Sequence, residues 1–164
     1  MNRPRNRDGA PLGARPDSDI LGVPFFSGDL SQAVDLLCSA VEGGRRIQAC
    51  VLPVNNVVWA GEDPELMAIY REAFVCLADG VPLIWASKLL GRPIGGRSTG
   101  YDLLPELCQA AAERGWGCYF LGGAEGVAES AAERLAAGTP GLEISGAFSP
   151  AFKERFSRDE TQAM

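Results

Sequence analysis

The chain has 164 residues, of which 46% are hydrophobic and 22% charged, and its net charge is −6. A chain of this length can bury a substantial core, and its negative charge argues against nucleic acid as a partner, because phosphate binding needs a concentrated basic surface. The sequence contains no histidine, which excludes Ser-His-Asp and Cys-His catalysis and leaves acid–base chemistry to Asp, Glu, Tyr, Cys or Lys.

The N-terminal segment differs in composition from the rest of the chain. Residues 1–17 are rich in arginine and proline, so we expect a disordered tail followed by a single α/β domain over residues 18–164. The tail arginines leave a role at a membrane surface open. No apolar run approaches the roughly 18 residues of a membrane span and no secretory signal is visible, which predicts a cytoplasmic protein. Five scattered cysteines without a C-x-x-C pair predict free, buried thiols.

Predicted strands and helices alternate along the remaining chain. The predicted strands cover residues 20–25, 48–54, 74–77, 117–121 and 142–145. Predicted helices begin near Ser31, Asp63, Pro82, Asp102 and Val127, and a last helix is expected around Phe152 and Phe156. Short glycine-marked turns between these elements predict an α/β fold, a Rossmann-like, mostly parallel sheet with helices on both faces. The D-x-D sequence Asp17-Ser18-Asp19 precedes the first strand, so chance explains it better than a metal site.

The most informative stretch runs from Phe74 to Asp102. A buried strand ends there at Asp79-Gly80, and a helix with proline in its first turn follows. Ligands bind at the carboxyl ends of strands in open α/β sheets, which favours a chemical role for Asp79, although an ordinary Asp-Gly turn has the same sequence. Farther on, Arg97 lies in a glycine-rich basic segment, where its guanidinium either holds a diphosphate or is simply solvated.

Other candidate residues also follow predicted strands. Asn55 and Asn56 lie at the end of the second strand, where asparagine is also a common turn residue. A glycine-rich loop with Gly122, Gly123 and Gly126 leads from a strand into a helix, a place where backbone N–H groups attract phosphate, yet a tight turn without ligand explains it equally well. We expect Asp102 to begin a helix. The aromatic residues Trp85, Tyr101 and Trp116 are interpreted as packing residues.

Several motifs resemble one enzyme family. The segment ADGVPLIWASKLLG, followed by R-x-x-G-Y-D-L-L, resembles the central block of the WecG/TagA/CpsF glycosyltransferases of bacterial envelope and exopolysaccharide synthesis. The segment NNVVWAGEDPEL before it, and ERGWGCYFLGGAEGVAE and PGLEISGAFSP after it, extend the resemblance over about residues 20–150.

The resemblance implies an activity and roles for particular residues. It implies an inverting transferase that works without a metal or other cofactor, with Asp79 as the general base. It also assigns the donor nucleotide to the glycine-rich loop. The positions that it implies for substrate contacts are Asn55, Asn56, Gly80, Arg97, Thr99 and Asp102. Pro53 stands where the family has threonine, which puts acceptor recognition, or the choice of Asn55 over Asn56, in doubt.

The resemblance further implies the substrates and the location. The donor would be a UDP-sugar carrying N-acetylmannosamine or its uronic acid, and the acceptor an undecaprenyl-diphosphate-linked sugar at the inner face of the cytoplasmic membrane. Homo-oligomer formation stays open. The family's G-x-P-x-Q-E-x-W block and basic C-terminal appendage are not in this chain, so we expect a truncated member or one with impaired activity.

Two other functions remain open at this stage. One is a dinucleotide-binding oxidoreductase fragment, because Glu143 follows the loop at Gly122 by about 20 residues, as that fingerprint requires. The loop lacks the first glycine of the fingerprint, since Leu121 occupies that position. The other is a catalytically inactive nucleotide-sugar-binding or assembly module, which Pro53 and the short C-terminus favour.

Overall fold

The structure is a computed structural model that describes residues 16–151. Residues 1–15 of the tail predicted over residues 1–17, and the helix predicted around Phe152 and Phe156, lie outside the described residues. Residues 16 and 17 of the predicted tail belong to the first strand. The chain divides into two compact units, one ending at Leu104 and the other beginning at Pro105. The predicted division into a tail and one domain stays a prediction.

The first unit contains one antiparallel and one parallel pair of strands. Its elements are β1 (Pro16–Ile20), β2 (Val23–Phe26), α1 (Leu30–Glu42), β3 (Ala49–Pro53), α2 (Val54–Glu62), α3 (Pro64–Glu72), β4 (Val75–Asp79), α4 (Val81–Leu89) and the first turn of α5 (Gly100–Arg114). Strands β1 and β2 form a hairpin. Strands β3 and β4 run parallel, with Cα partners from Ala49 and Val75 to Pro53 and Asp79.

The second unit repeats the parallel arrangement. It consists of the rest of α5, β5 (Gly117–Leu121), α6 (Val127–Gly138) and β6 (Glu143–Phe148). Strands β5 and β6 are parallel, with Cα partners from Gly117 and Glu143 to Leu121 and Phe148. Parallel strands joined through helices confirm the predicted α/β class.

Strand β4 lies in the core of the first unit. Its residues 75–78 are all buried, as a continuous apolar strand covered on both faces should be. The hydrophobic cluster beside it combines residues from the hairpin, both following strands and three helices, including Val23, Phe25, Leu52, Val57 and Leu83. This packing fixes the position at which β4 ends.

Three sequence predictions about element boundaries are wrong. The strand predicted over residues 20–25 is a hairpin whose turn contains Leu21 and Gly22, both with positive φ, and Asp19 Oδ1 accepts a hydrogen bond from the Gly22 N–H at 2.8 Å. Helix α1 is capped by Asp29 and not by Ser31, since Asp29 and Gln32 exchange the two bonds of a capping box. Helix α2 was not predicted, because a proline and two asparagines suggested only the end of a strand.

Other expectations agree with the structure. Asp63 caps α3 by accepting hydrogen bonds from the Glu65 and Leu66 N–H groups. All five cysteines are free thiols, and three of them are buried. None of the helices described between residues 16 and 151 has both the length and the apolar character that crossing a membrane requires.

Candidate active site

Asp79 lies at the carboxyl edge of the parallel pair formed by β3 and β4. It is the last residue of β4, it is half-buried, and its Cα partner on β3 is Pro53. The carboxylate therefore follows four buried residues and sits where β3 also ends. This is the strand-end placement that the sequence predicts, whereas the role of Asp79 as a base stays a prediction.

Two helices begin at this same edge. Helix α2 follows Pro53 directly, and α4 follows Gly80, whose φ of 111° suits glycine. Neither proline nor glycine has a side-chain oxygen, and within the described part of the chain neither helix receives a side-chain cap. The first N–H groups of both helices, with the positive ends of the helix dipoles, are therefore suited to an anionic group.

The two predicted asparagines occupy the first turn of α2 and differ in their surroundings. Asn56 is half-buried, and its Nδ2 donates a hydrogen bond of 3.4 Å to the Tyr70 hydroxyl. Burial raises the pKa of Tyr70, so this hydroxyl stays protonated. Asn55 is exposed. Because Asn56 is held by α3, Asn55 is the better placed of the two to contact a substrate.

The loop that carries Arg97 is attached to the end of β4. The Ser98 N–H donates to the carbonyl of Ala78 at 3.0 Å, and the Gly95 N–H donates to the carbonyl of Ser27 at 2.7 Å. A Cβ on Gly95 would stand 2.7 Å from that same carbonyl oxygen, so only glycine fits this close approach. These bonds fix the loop beside the residue that precedes Asp79.

Arg97, Thr99 and Asp102 form a local cluster. The Thr99 hydroxyl donates to Asp102 Oδ2 at 2.7 Å and accepts from the Asp102 N–H at 3.0 Å, so the two residues stabilise the start of α5. Arg97 Nη2 lies 3.8 Å from Asp102 Oδ2, and its side chain is 53% exposed. The structure thus gives Thr99 and Asp102 a structural role, while the exposed guanidinium of Arg97 remains accessible to an anion.

The glycine-rich loop lies at the carboxyl ends of β5 and β6 in the second unit. Gly122, Gly123 and Gly126 all have positive φ, and a Cβ on Gly123 would stand 2.8 Å from Val127. The backbone therefore requires glycine here whether or not a ligand binds. The loop borders a cavity of about 860 Å³, which is also lined by Ala124, Glu125, Phe148, Ser149, Pro150 and Ala151.

Ser149 binds a backbone N–H group in the first turn of α6. Its Oγ accepts a hydrogen bond from the Ala128 N–H at 3.0 Å and donates to Glu129 Oε2 at 2.7 Å. The bond from Ser149 lowers the pKa of Glu129. Sequence reasoning missed this pair, although Ser149 follows the last predicted strand as the other candidates follow theirs. The nucleotide-binding role of the loop stays a prediction.

Glu143 lies at the opposite edge of β5 and β6. It is the first residue of β6, and its Cα partner is Gly117 at the start of β5. A dinucleotide site needs its acidic residue near the carboxyl ends of the strands, where the glycine-rich loop is. This placement argues against the dinucleotide-binding alternative.

Two aromatic residues interpreted as packing residues are in fact exposed. Trp85 is 68% exposed and Tyr101 is 88% exposed, so that interpretation is wrong for both. Apart from Ser87 and Lys88, helix α4 consists of apolar residues spread around all sides, so its periodicity does not show which side faces the core. Trp116 is half-buried, and the guanidinium of Arg114 lies 5.4 Å from its ring centre.

Cys50 and Cys76 are Cα partners on β3 and β4. A hydrogen bond with Cys76 lowers the pKa of Cys50 to about 7, and the same bond with burial raises the pKa of Cys76. Both lie three residues before the strand ends. Residues three apart on a strand point to opposite faces, so this pair and Asp79 are on different sides of the strands.

The described side chains can be compared with the groupings that bind metal ions. Within residues 16–151, no three His, Cys, Asp or Glu side chains are grouped so that they could hold a metal ion. Asp19 of the D-x-D sequence accepts a hydrogen bond inside the hairpin turn. The expectation that the protein uses neither a metal nor another cofactor stays a prediction.

Comparison with known proteins identifies the family. A curated relative from Bacillus spizizenii, N-acetylglucosaminyldiphosphoundecaprenol N-acetyl-beta-D-mannosaminyltransferase, is 34% identical over 87 residues, which are 53% of this chain and 34% of the relative. The match thus spans about a third of the relative's length. The profile of the glycosyl transferase WecG/TagA/CpsF family matches residues 18–164. As the motifs around Asp79 predict, the chain belongs to the WecG/TagA/CpsF glycosyltransferase family.

Proposed function

We propose that the protein transfers an N-acetylhexosamine, N-acetylmannosamine or its uronic acid, from a UDP-sugar to a sugar linked to undecaprenyl diphosphate. The product would enter a bacterial exopolysaccharide or cell-envelope polymer. The relative's name supports the transferred sugar and the lipid-linked acceptor. The observation that carries the proposal is the half-buried Asp79 at the end of β4, beside the end of β3.

In the proposed reaction Asp79 acts as general base. Its carboxylate takes the proton from the acceptor hydroxyl, the hydroxyl oxygen forms a bond to the anomeric carbon, and the bond from that carbon to UDP breaks. The configuration at the anomeric carbon inverts, because attack and departure occur on opposite faces. A base in hydrogen-bond reach of the attacking hydroxyl contributes typically about 10²–10⁴-fold to the rate.

The leaving diphosphate needs positive charge nearby. Arg97 offers an exposed guanidinium, and the uncapped N-termini of α2 and α4 add backbone N–H groups at the same edge. In this proposal Asn55 contacts a substrate. Nucleotide binding by Gly122, Gly123 and Gly126 is a separate proposal for the second unit. The protein would act at the inner face of the cytoplasmic membrane, where the lipid acceptor is.

The test is the variant Asp79→Asn. It keeps the size of the side chain but cannot accept the proton, so we expect the transfer rate to fall about 10²–10⁴-fold while UDP affinity is unchanged. Transfer would be measured with UDP-N-acetylmannosamine and a short-chain polyprenyl-diphosphate N-acetylglucosamine, and UDP affinity by isothermal titration. Glu143→Gln is the matched control, because it neutralises an exposed carboxylate at the far edge of β5 and β6.

The outcomes separate the candidate functions. Normal transfer by Asp79→Asn rules out the base assignment. UDP binding by the unmodified chain without any transfer would favour the inactive binding module, which Pro53 in place of the family threonine supports. Tight NADH binding that Glu143→Gln weakens would restore the oxidoreductase alternative.

A further inference from the structure

Helix α4 exposes a continuous apolar face. Val81, Trp85 and Leu89 repeat at intervals of four residues, so they lie on one side of the helix, and their exposures are 44%, 68% and 90%. Lys88 is exposed on the same side. We call these four residues, together with the exposed Arg92 that follows the helix, the α4 surface.

The core of the first unit does not use this face. Leu83 and Ser87 on the opposite side are buried, and Ile84 and Ala86 on the flanks are half-buried. Ser87 also accepts a hydrogen bond from the Ile94 N–H, which holds the following loop against that inner side. Trp85 and Leu89 are therefore large apolar side chains that face away from the core, and such exposed patches mark binding surfaces.

The charge around the α4 surface points to an anionic partner. The whole chain has a net charge of −6, yet residues 80–101 contain no Asp or Glu and three basic residues, Lys88, Arg92 and Arg97. Exposed Trp and Leu beside Lys and Arg are the composition of helices that lie in a membrane interface, where apolar side chains enter the acyl boundary and cations meet lipid phosphates.

A second copy of the chain fits this surface poorly. A two-fold interface brings the same patch of both subunits together, so it must be complementary to itself. Here it would bring Lys88 and Arg92 of both copies into one interface, with no carboxylate from residues 80–101 to neutralise them. Like charges brought together in this way oppose association.

We propose that the α4 surface docks the protein onto an anionic lipid bilayer. Trp85 and Leu89 enter the interface, while Lys88 and Arg92 contact phosphate groups. Because α4 begins two residues after Asp79, Trp85 lies roughly 10 Å from the strand end along the chain. The inference rests on the proposed function in one respect, since a docked α4 holds the strand end close to the head group of a lipid-linked acceptor.

The test is co-sedimentation of the full 164-residue chain with vesicles that contain neither donor nor acceptor. We expect binding to vesicles of phosphatidylcholine with about one third phosphatidylglycerol, and much weaker binding to phosphatidylcholine alone. The double variant Trp85→Ser, Leu89→Ser should bind about tenfold more weakly or worse, because two apolar side chains no longer enter the interface. Lys88→Gln with Arg92→Gln should weaken binding about fivefold per charge removed.

Controls distinguish docking from other effects. Ile69→Ser changes an apolar residue of α3 with 45% exposure and should leave vesicle binding unchanged. A chain in which Arg3, Arg5, Arg7 and Arg15 are glutamine measures the contribution of the N-terminal segment. Circular dichroism shows whether each variant is folded, and the lysine and arginine pair tests the surface without touching a buried residue.

Several results would overturn the proposal. They are failure of the unmodified chain to bind anionic vesicles, binding by both double variants as strong as that of the unmodified chain, loss of binding only when the N-terminal arginines are replaced, or α4-dependent dimers in ultracentrifugation without vesicle binding. Because the assay contains no substrate, such a result leaves the transferase proposal intact. Conversely, vesicle binding by a chain that transfers no sugar would support docking while the transferase proposal fails.

Discussion

The carboxyl edges of the two parallel strand pairs look alike in topology but differ in what occupies them. At the edge of β3 and β4, α2 and α4 begin without a side-chain cap in the described structure, and Asp79 stands between the strands and α4. At the edge of β5 and β6, Ser149 accepts from the first turn of α6 and binds Glu129.

This difference distinguishes a candidate binding site from a turn whose backbone N–H groups are bonded by the protein's own side chains. Both edges have helix N-termini and glycines, so the local sequence does not show which edge is the binding site. Within residues 16–151 no side chain caps α2 or α4 at the first edge, whereas Ser149 accepts from the Ala128 N–H at the second. Strand β4 is buried along residues 75–78, whereas β5 alternates between exposed and half-buried residues. Rigid placement and the uncapped N-termini of α2 and α4 favour chemistry at the first edge.

The largest effect should come from truncating a leucine side chain in β4, and it should exceed the effect of the same change in β5. Leu77 in β4 is 1% exposed, so Leu77→Ala should lower the free energy of unfolding by about 2–5 kcal/mol. Leu121 in β5 is 55% exposed, and Leu121→Ala should cost less than about 1 kcal/mol. Urea unfolding measures both values. Equal losses would mean that β4 is no better anchored than β5.

A smaller effect should follow from removing the cation beside the first edge. We expect Arg97→Ala to weaken UDP binding about tenfold, because a hydrogen bond to a charged group is worth about 1.5–3 kcal/mol. Isothermal titration measures the change. Arg134→Ala in α6 is the matched control, since Arg134 is also exposed, and it should bind UDP normally. The reverse pattern would move the diphosphate away from Arg97.

The cap at the second edge can be removed with Ser149→Ala. Loss of the bond to the Ala128 N–H should lower stability by about 0.5–2 kcal/mol in thermal or urea unfolding. Ser145→Ala, an exposed serine within β6, is the control. If Ser149→Ala is as stable as the unmodified chain, the bond from Ser149 does not stabilise the start of α6, and the contrast between the two edges is lost.

The same variant has a predictable pH dependence. The Ser149 hydroxyl lowers the pKa of Glu129 in the folded chain. The bond between them therefore stabilises the folded chain at pH values above the pKa that Glu129 has in the unfolded chain. This stabilisation is lost as the pH falls through the lower pKa of Glu129 in the folded chain. The stability difference between Ser149→Ala and the unmodified chain should therefore shrink in acid. A difference that stays constant from neutral pH to pH values below the unfolded pKa of Glu129 would contradict this coupling.

The smallest effect concerns the thiols of the first unit. With its pKa lowered to about 7 by Cys76, Cys50 should react with iodoacetamide at half its maximal rate near pH 7, and Cys76→Ala, which removes the hydrogen bond, should move that midpoint upward. Cys108 in the second unit, whose pKa burial raises to about 11, should stay unreactive at neutral pH. Mass spectrometry of digested protein identifies the modified thiol.

Sequence reasoning was strongest where a local pattern and a local structure coincide. The position of Asp79 at a strand end, the cap of α3 at Asp63 and the free thiols follow from short patterns, and the structure confirms them. It was weakest where proline or asparagine permits more than one conformation. Helix α2 was missed for this reason, and the turn at Leu21-Gly22 was not expected because leucine rarely adopts positive φ.

The sequence by itself determined the α/β class, the family and the strand-turn-helix that presents Asp79, since these depend on residues close together in the chain. Only the tertiary structure decided which side of α4 faces the core, that Ser149 caps α6 from about 20 residues away, and that Glu143 lies at the wrong edge for a dinucleotide. The physical reason is that burial and hydrogen-bond partners are set by segments far apart in sequence, and the periodicity of a mostly apolar helix does not identify them.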